Sequence, residues 1–468
     1  MSHQGGPVRT MRWPGLLVLA LLAGAGPAGA AGWLSAVRDD ALGLDPAVAA
    51  AQAQLRAVEE KVVQARAGFG PTANITVDQN QTHYAETLSR RSFHGTVTTL
   101  QVTQPLLHNE LFPALKSAQA QFEQARASLA QVRDESTVRL LEAVFDALKA
   151  RDAVTLASAQ RLAAEEQLAS ARRSFTVGNV SVIDVREAEA KIDTVDAQAI
   201  AAAADLALKQ QLLTELAGRP LPELLERSLD GDRMPDLPPA SMLEWLADAQ
   251  LHNPQLQAAQ RTLEASEAEL RKAWQGHAPT VNLTYTYTNN ADTGTVTSIF
   301  PRQGQASAVG VSLNIPLFAS GATQARVRES MALRDKVRAD VDAVRRTVQL
   351  GVRQNFSAAL SSVSLAHGLE TATRSLEVAF RANRRGYEVG MKVNAEVLDA
   401  QTKVFESRRN LSRARYDAWL SYVKLKSYAG MLGDEDIDAL YRLLVVSPSQ
   451  QPQPSRARTP APGEEAPQ

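Results

Sequence analysis

The feature that most constrains this 468-residue chain is an internal duplication with a period near 210 residues. Helical patterns open at Asp45-Pro46 and at Asn253-Pro254, each an N-cap residue followed by proline at the first helical position. Identities then recur in order at shifts of 208 to 212: Pro71 with Pro279, Pro105-Leu106 with Pro316-Leu317, Val177-Gly178 with Val389-Gly390, and Ala217-Gly218 with Ala429-Gly430. A period this long excludes a solenoid repeat. We therefore expect two structurally equivalent halves, residues 31–218 and 241–432.

Each half contains a segment in which apolar and polar residues alternate. The alternation is clearest from Thr280 to Thr288, and this period of two is typical of a strand. A second alternating run precedes each Pro-Leu pair. The pattern predicts one β-hairpin in each half and four strands in the whole chain, with polar loops inside the hairpins. The hairpins are expected at 72–104 and 280–315, and their loops at 82–92 and 289–305.

A proline-free segment follows each hairpin, at residues 114–219 and 317–447. Its pattern predicts one long helix and one shorter returning helix in each half: 111–174 with 181–217, and 322–385 with 394–429. A continuous helix over each 64-residue member would be ~95 Å long, so we expect long antiparallel coiled-coil pairs. Ser181 and Asp184 form a capping-box pattern at the start of the first returning helix. Asn394 is the expected cap of the second returning helix.

The N-terminus has the layout of a secretory signal peptide. Arg9 and Arg12 precede an apolar run over residues 16–23, and Ala28-Gly29-Ala30 offers small residues for cleavage. The alternative is an uncleaved membrane anchor, but the apolar run is too short to cross ~30 Å of hydrocarbon. We therefore expect residues 1–30 to be removed on export.

Two further segments lie outside the duplicated halves. Residues 219–240 contain five prolines and are expected to be a linker with some local structure. Residues 447–468 are rich in Pro, Gln and Ser and are expected to be a disordered tail. The short stretch 433–446 connects the second half to that tail.

The composition excludes several classes of function. The chain has no cysteine, which excludes disulfides, Cys-ligated metal sites and thiol nucleophiles. Its 50 Lys and Arg residues are balanced by 51 Asp and Glu residues, which argues against nucleic acid as a partner. No HExxH, P-loop, G-x-S-x-G or dinucleotide-binding pattern occurs. We expect neither enzymatic activity nor a cofactor or metal.

Four strands present a geometric problem. About eight strands are the fewest that close a barrel, yet these strands have the length of a membrane-spanning strand, with one apolar face and one rich in Thr and Asn. Oligomerisation resolves the problem, because three chains supply twelve strands. The alternative from this pattern alone is a soluble hairpin packed on its hydrophobic face.

At this point the chain resembles the TolC family of outer-membrane efflux and secretion channels. The resemblance extends over about residues 45–440. It rests on these segments: Asn253-Pro254, Gly276-His277-Ala278-Pro279, the run from Val309 to Phe318, Phe175-Thr176-Val177-Gly178, Gly386-Tyr387-Glu388-Val389-Gly390, the run from Val397 to Gln401, and Ala414-Arg415-Tyr416.

The resemblance implies a mainly α protein with a small β part. It implies a homotrimer, with a twelve-stranded barrel in the outer membrane, a helical tunnel through the periplasm, and an equatorial collar formed in part by residues 219–240 and 433–446. It also implies docking to a periplasmic adaptor protein and an inner-membrane ABC or proton-driven transporter. The cargo would be drugs, or proteins in type I secretion.

The resemblance also assigns an acidic constriction. Glu396 and Asp399 are three residues apart and share a helix face, and they correspond to the acidic pair at the closed periplasmic entrance. Three copies would place six carboxylates around one opening, where they would attract cations. The alternative is a solvated helix face on which Lys392 and Glu396 form an exposed ion pair.

Two further roles come from the resemblance. Asp184, Tyr387 and Lys392 correspond to a latch that holds the tunnel closed, and Lys392 lacks the bidentate fork that an arginine would bring to it. Gly178 and Gly390 lie at hairpin tips that would contact the adaptor. The alternative for both glycines is a C-cap role that only ends a helix.

Two non-channel alternatives remain open from the sequence. A periplasmic adaptor also carries a helical hairpin, but the duplicated plan of strands and helices argues against it. A coiled-coil scaffold without a pore has no need for four amphipathic strands. Recovery of the protein in the soluble periplasmic fraction would favour either alternative over a channel.

Overall fold

The computed structural model describes residues 33–86, 89–178, 180–229, 234–235, 241–295, 298 and 300–446. The signal peptide expected over residues 1–30 and the tail expected over 447–468 lie outside the described residues, as does part of the 219–240 linker.

The elements of the two halves follow the same order. The first half consists of α1 (Trp33–Leu44), α2 (Pro46–Ala67), β1 (Thr72–Glu86), β2 (Ser89–Leu107), α3 (Leu111–Thr176) and α4 (Val182–Ala217), followed by α5 (Pro222–Leu225) and β3 (Arg227–Leu229). The second half consists of α6 (Met242–His252), α7 (Pro254–Gln275), β4 (Thr280–Asp292), β5 (Arg302–Asn314), α8 (Ala322–Glu388) and α9 (Asn394–Ala429), followed by α10 (Asp434–Arg442) and β6 (Leu444–Val446). The chain is therefore mainly helical, with a small β part.

The two predicted caps open α2 and α7. The Asp45 carboxylate accepts a hydrogen bond from the amide of Ala47 at 2.8 Å, and the Asn253 side chain accepts one from Leu256 at 3.0 Å. Asn253 also donates its side-chain Nδ2 to the carbonyl of Tyr428 at 2.9 Å. The cap in the second half thus also ties the α6–α7 junction to the end of α9.

The two hairpins join into one antiparallel sheet with the order β1-β2-β4-β5. The register aligns Ala73, Val102, Tyr285 and Val309 in one row across the sheet, so the alternating apolar residues share a face. That face is open to solvent in the single chain, with Val309 at 72% exposure. The opposite face is lined by Thr, Asn and Gln.

Two expectations about the strands are wrong. Residues 82–86 and 89–92 are strand rather than loop, because β1 runs to Glu86 and β2 starts at Ser89 in continuous register. Both faces of the hairpin are polar there, so no hydrophobic alternation marked the strand. The second expected loop, 289–305, is likewise shorter, because β4 runs to Asp292 and β5 starts at Arg302. The chain also has more than four strands, since β3 and β6 pair in a second, two-stranded sheet. Three-residue strands are too short to show a period.

The main core lies at mid-length of α3, where the ends of the two halves meet. Helices α1 and α10 pack there together, and the Trp33 and Tyr441 rings stack with centroids 5.1 Å apart. Leu141, Leu148 and Tyr416 are almost completely buried in this cluster. A smaller cluster around Trp245 packs α6 against α8 and α9. None of the described helices is both long enough and apolar enough to cross a membrane.

Asp134 on α3 is the basis of a pH-dependent prediction. Burial, with the nearby Glu135 charge, raises the pKa of Asp134 to about 6. Since the folded state holds this proton more tightly than the unfolded state, stability falls as pH rises from about 4 to about 6. The group remains partly solvated, so we expect Asp134→Asn to add about 1–2 kcal/mol at pH 7.5 and almost nothing at pH 4. Thermal unfolding of the detergent-solubilised protein at both pH values would measure this. The control Glu123→Gln, on the same helix, should show no such pH dependence.

Candidate functional site

The predicted site residues meet at one end of the long helices. The α3–α4 turn and the α8–α9 turn lie at this end because α3 and α9 pack against each other, as do α4 and α9. The Asn394 side chain donates a hydrogen bond to the carbonyl of Asp184, which joins the two turns directly at 3.3 Å. Candidates that lie about 200 residues apart in sequence therefore form one cluster.

The two turn glycines have the backbone that a helix C-cap requires. Gly178 has φ of 78° and Gly390 has φ of 76°, and an added Cβ at either position would meet no atom within 4 Å. The C-cap interpretation is therefore confirmed for their backbone. Both tips also expose apolar side chains, with Val177 at 69% and Met391 at 78% exposure. Asn179, between Gly178 and α4, lies outside the described residues.

The predicted capping box at the start of α4 is present. The Ser181 amide donates to the Asp184 carboxylate at 2.9 Å, and the Ile183 amide donates to the Ser181 hydroxyl at 3.2 Å. The Asp184 carboxylate is therefore already engaged by its own helix, with remaining acceptor capacity for other partners.

The three latch candidates are neighbours, but they are not bonded to one another in this conformation. The Tyr387 hydroxyl is buried and has no hydrogen-bond partner among the described residues. Burial, with the nearby Asp184 charge, raises the pKa of Tyr387. Lys392 bonds to Glu396, one turn along the chain, rather than to Asp184. Gly386 makes room for this lysine, since a Cβ there would lie 2.8 Å from the Lys392 side chain.

The cap role expected for Asn394 is wrong. The N-cap of α9 is Val393, and Asn394 is the first helical residue, with its side chain fully buried. The Gln167 amide on α3 donates to Asn394 Oδ1 at 2.5 Å, while Asn394 Nδ2 donates to the Asp184 carbonyl. Its spacing was the available signal: Asn394 lies three and four residues before Val397 and Leu398 and so shares their buried helix face, where an amide needs hydrogen-bond partners.

Both carboxylates of the expected constriction have a lysine one helical turn away. Glu396 pairs with Lys392, and Asp399 Oδ2 lies 2.7 Å from Lys403 Nζ. The hydrogen bond to Asp399 raises the pKa of Lys403. A third lysine, Lys191 on α4, is half-buried, and burial lowers its pKa while the charges of Glu406 and Asp399 act in the opposite direction.

A groove of about 650 Å³ lies beside this cluster, between α3, α8 and α9. Gln167 and Tyr387 line it, together with the rings of Phe380 and Phe405. Several arginines and glutamates surround these rings, and Arg408 bonds to Glu377 at 2.6 Å within it. The groove is therefore amphipathic and charged, and it ends close to the exposed helix tips. In the described part of the chain, no three His, Asp or Glu side chains are placed to hold a metal ion.

The comparisons with known proteins agree on one family. A family model described as "Outer membrane efflux protein" matches residues 37–219 and 245–431, once in each half of the duplication. Among curated relatives, Outer membrane protein TolC of Vibrio cholerae is 27% identical, covering 90% of this chain and 97% of its own length. Alkaline protease secretion protein AprF of Pseudomonas aeruginosa is 29% identical, covering 74% of this chain and 72% of its own.

Solved structures share the fold at lower identity. CusC superposes with a TM-score of 0.73 at 16% identity, covering 85% of this chain and 92% of that one. The outer-membrane channel OprN gives a TM-score of 0.71 at 20% identity, covering 86% and 90%. Proteins of this family are passive channels of the outer membrane, not enzymes. Since the family model matches most of both halves, this chain belongs to the outer membrane efflux protein family, the family of TolC.

Proposed function

We propose that three copies of this chain form a channel-tunnel that exports substrates across the outer membrane. The sheet is the observation that carries this proposal. It has an exposed apolar face, a polar face, and two edge strands, β1 and β5, each with one strand neighbour in the described sheet. An open edge of this length normally finds a partner, and a second copy offers a matching one.

Closure of three sheets supports the membrane location of the barrel. Twelve strands are enough for a closed barrel, which leaves no free edge in lipid. The row of Ala73, Val102, Tyr285 and Val309 would then face the lipid of the outer membrane. The Thr-rich and Asn-rich face would line an aqueous lumen.

The helices support a tunnel that continues the barrel. Helices α3 and α8 have 66 and 67 residues, which corresponds to ~100 Å each. The small sheet of β3 and β6, with α1 and α10, would form the equatorial collar around their middle. This division supports 31–218 and 241–432 as the structural repeats, with 219–240 and 433–446 in the collar.

Docking partners belong to the same proposal. The tips at Gly178 and Gly390 expose apolar side chains, and the adjacent groove between α3, α8 and α9 is lined by arginines and aromatic rings. A periplasmic adaptor that presents a helical hairpin would fit such a surface, and it would couple the channel to an inner-membrane ABC or proton-driven transporter. Relatives named for protease secretion, AprF and PrtF, favour export of proteins.

Three measurements on the full chain test the function. We expect the protein in the outer-membrane fraction, a trimer after crosslinking, and discrete single-channel conductance in planar bilayers. Recovery in the soluble periplasmic fraction without conductance would instead support an adaptor or a scaffold without a pore.

The latch leads to a separate prediction. Because Lys392 is engaged by Glu396, and the buried Tyr387 hydroxyl lies near Asp184 without being bonded to it, we expect the closing interaction to form between Tyr387 and Asp184 in the closed channel. Tyr387→Ala, alone or with Lys392→Ala, should raise single-channel conductance by about twofold or more, since one contact of ~1–2 kcal/mol shifts a two-state equilibrium several-fold. Lys392→Ala alone should leave conductance near the wild-type value. Unchanged conductance in the double variant would remove the latch assignment.

A further inference from the structure

The carboxylates at the expected entrance are not isolated charges. Lys392 and Lys403 lie one turn before Glu396 and one turn after Asp399, and each is bonded to its carboxylate. All four side chains are on the exposed side of the α8–α9 turn and α9, away from the buried stripe of Val397 and Val404. Each negative charge therefore has a positive charge within a few ångströms.

A third cation reaches the same surface from the other half of the chain. Lys191 on α4 is close enough to Asp399 and Glu406 for both charges to act on its pKa. Lys191 belongs to α4, whereas Asp399 and Glu406 belong to α9.

The charge balance extends over the whole end of the helices. Residues 172–193 and 384–403 together contain eight basic and seven acidic side chains. The potential of opposite charges a few ångströms apart falls off steeply beyond their separation, and mobile salt screens the remainder, with a Debye length of about 8 Å at physiological ionic strength. An ion approaching this end would meet little net potential.

We propose that Lys392 and Lys403 neutralise the carboxylates of the tunnel entrance, so that the entrance has little charge selectivity and admits acidic cargo. The inference rests on the proposed channel function. A ring of unpaired carboxylates would repel anionic segments. In this proposal the entrance carries a ring of ion pairs instead. Such an entrance would admit a polypeptide or solute of net negative charge as readily as one of net positive charge.

Reversal potentials under a KCl gradient test the proposal on the purified full chain in planar bilayers. The wild-type protein should show a K⁺ to Cl⁻ permeability ratio within about threefold of unity, because its fixed charges balance. Lys392→Ala with Lys403→Ala should raise the ratio at least about fivefold, since the carboxylates are then unpaired. Glu396→Gln with Asp399→Asn should shift it towards Cl⁻.

A matched control tests whether the change in permeability ratio is specific to lysines at the entrance or follows the loss of any paired lysine. Lys336 on α8 also pairs with an acid four residues away, Asp340, at 2.8 Å, but it lies about 50 residues before the tip. Lys336→Ala should leave the ratio unchanged. Strong cation selectivity of the wild-type channel, or the same ratio before and after loss of Lys392 and Lys403, would overturn the inference while leaving the channel function intact. Absence of any wild-type conductance would contradict the proposed function, and the inference with it.

Discussion

Gly430→Ala is expected to abolish accumulation of the folded protein in the outer membrane. Gly430 ends α9 with φ of 70°, a left-handed conformation that costs an L-residue ~1–2 kcal/mol. An added Cβ would also lie 2.4 Å from the His252 carbonyl oxygen and 2.9 Å from the Asn253 amide nitrogen. These are backbone atoms, so no side-chain rotation relieves the overlap.

The neighbouring structure cannot move away without further loss. The Asn253 side chain caps α7 and donates to the Tyr428 carbonyl, so separation of the α6–α7 junction from α9 breaks the bond between them. The Trp245 cluster, which packs α6 on α8 and α9, would be opened by the same movement. We therefore expect a total cost of several kcal/mol, a large share of the ~5–15 kcal/mol that stabilises a typical domain.

Two other glycines provide matched controls. Gly390 has φ of 76° but open space around its Cβ direction, so Gly390→Ala should cost only the backbone term. Gly218 occupies the position in the first half that is equivalent to Gly430, and it has φ of 72°. An added Cβ there would lie 2.0 Å from Leu44 Cδ1, which is the end of a side chain that can rotate. Protease-resistant protein in the outer-membrane fraction should decrease in the order Gly390→Ala, Gly218→Ala, Gly430→Ala. Equal yields for Gly390→Ala and Gly430→Ala would contradict the packing argument.

The sequence was informative wherever a structural rule is local and repeated. The duplication, both N-caps and the Ser181–Asp184 capping box are present in the structure, and α9 has the predicted bounds, Asn394–Ala429. The duplication also matched Gly218 with Gly430. It could not show that only Gly430 packs against backbone, because that depends on the tertiary position of the α6–α7 junction.

The site was predictable only within single helices. The Lys392–Glu396 pair was considered as an alternative, and the Lys403–Asp399 pair has the same four-residue spacing, so it could have been recognised. The approach of Lys191 to Asp399 joins α4 to α9, and no spacing rule reports it. Asn394 was assigned to a local cap because asparagine favours caps, whereas its partners are on α3 and α4.

Asn394→Ala is expected to open the tunnel entrance and raise single-channel conductance several-fold. Asn394 is the fully buried amide between α3 and α4, bonded to Gln167 and to the Asp184 carbonyl. Alanine would remove both bonds: the half-buried Gln167 amide would lose its acceptor, at ~1–3 kcal/mol for a buried group, and the Asp184 carbonyl would keep only its bond within α4. An open form lets water reach them, so the variant shifts the equilibrium towards opening.

Asn355→Ala is the matched control for this prediction. Asn355 on α8 is also an asparagine in a long helix, but its Nδ2 donates to the carbonyl of Gly351 in the same helix at 2.8 Å. Its loss weakens α8 locally and releases no contact between helices, so conductance should stay at the wild-type value. Gln167→Ala should give a smaller increase than Asn394→Ala, because the bond from Asn394 to Asp184 remains. If Asn355→Ala and Asn394→Ala raise conductance equally, general destabilisation explains the effect; if neither does, the buried amide does not hold the entrance closed.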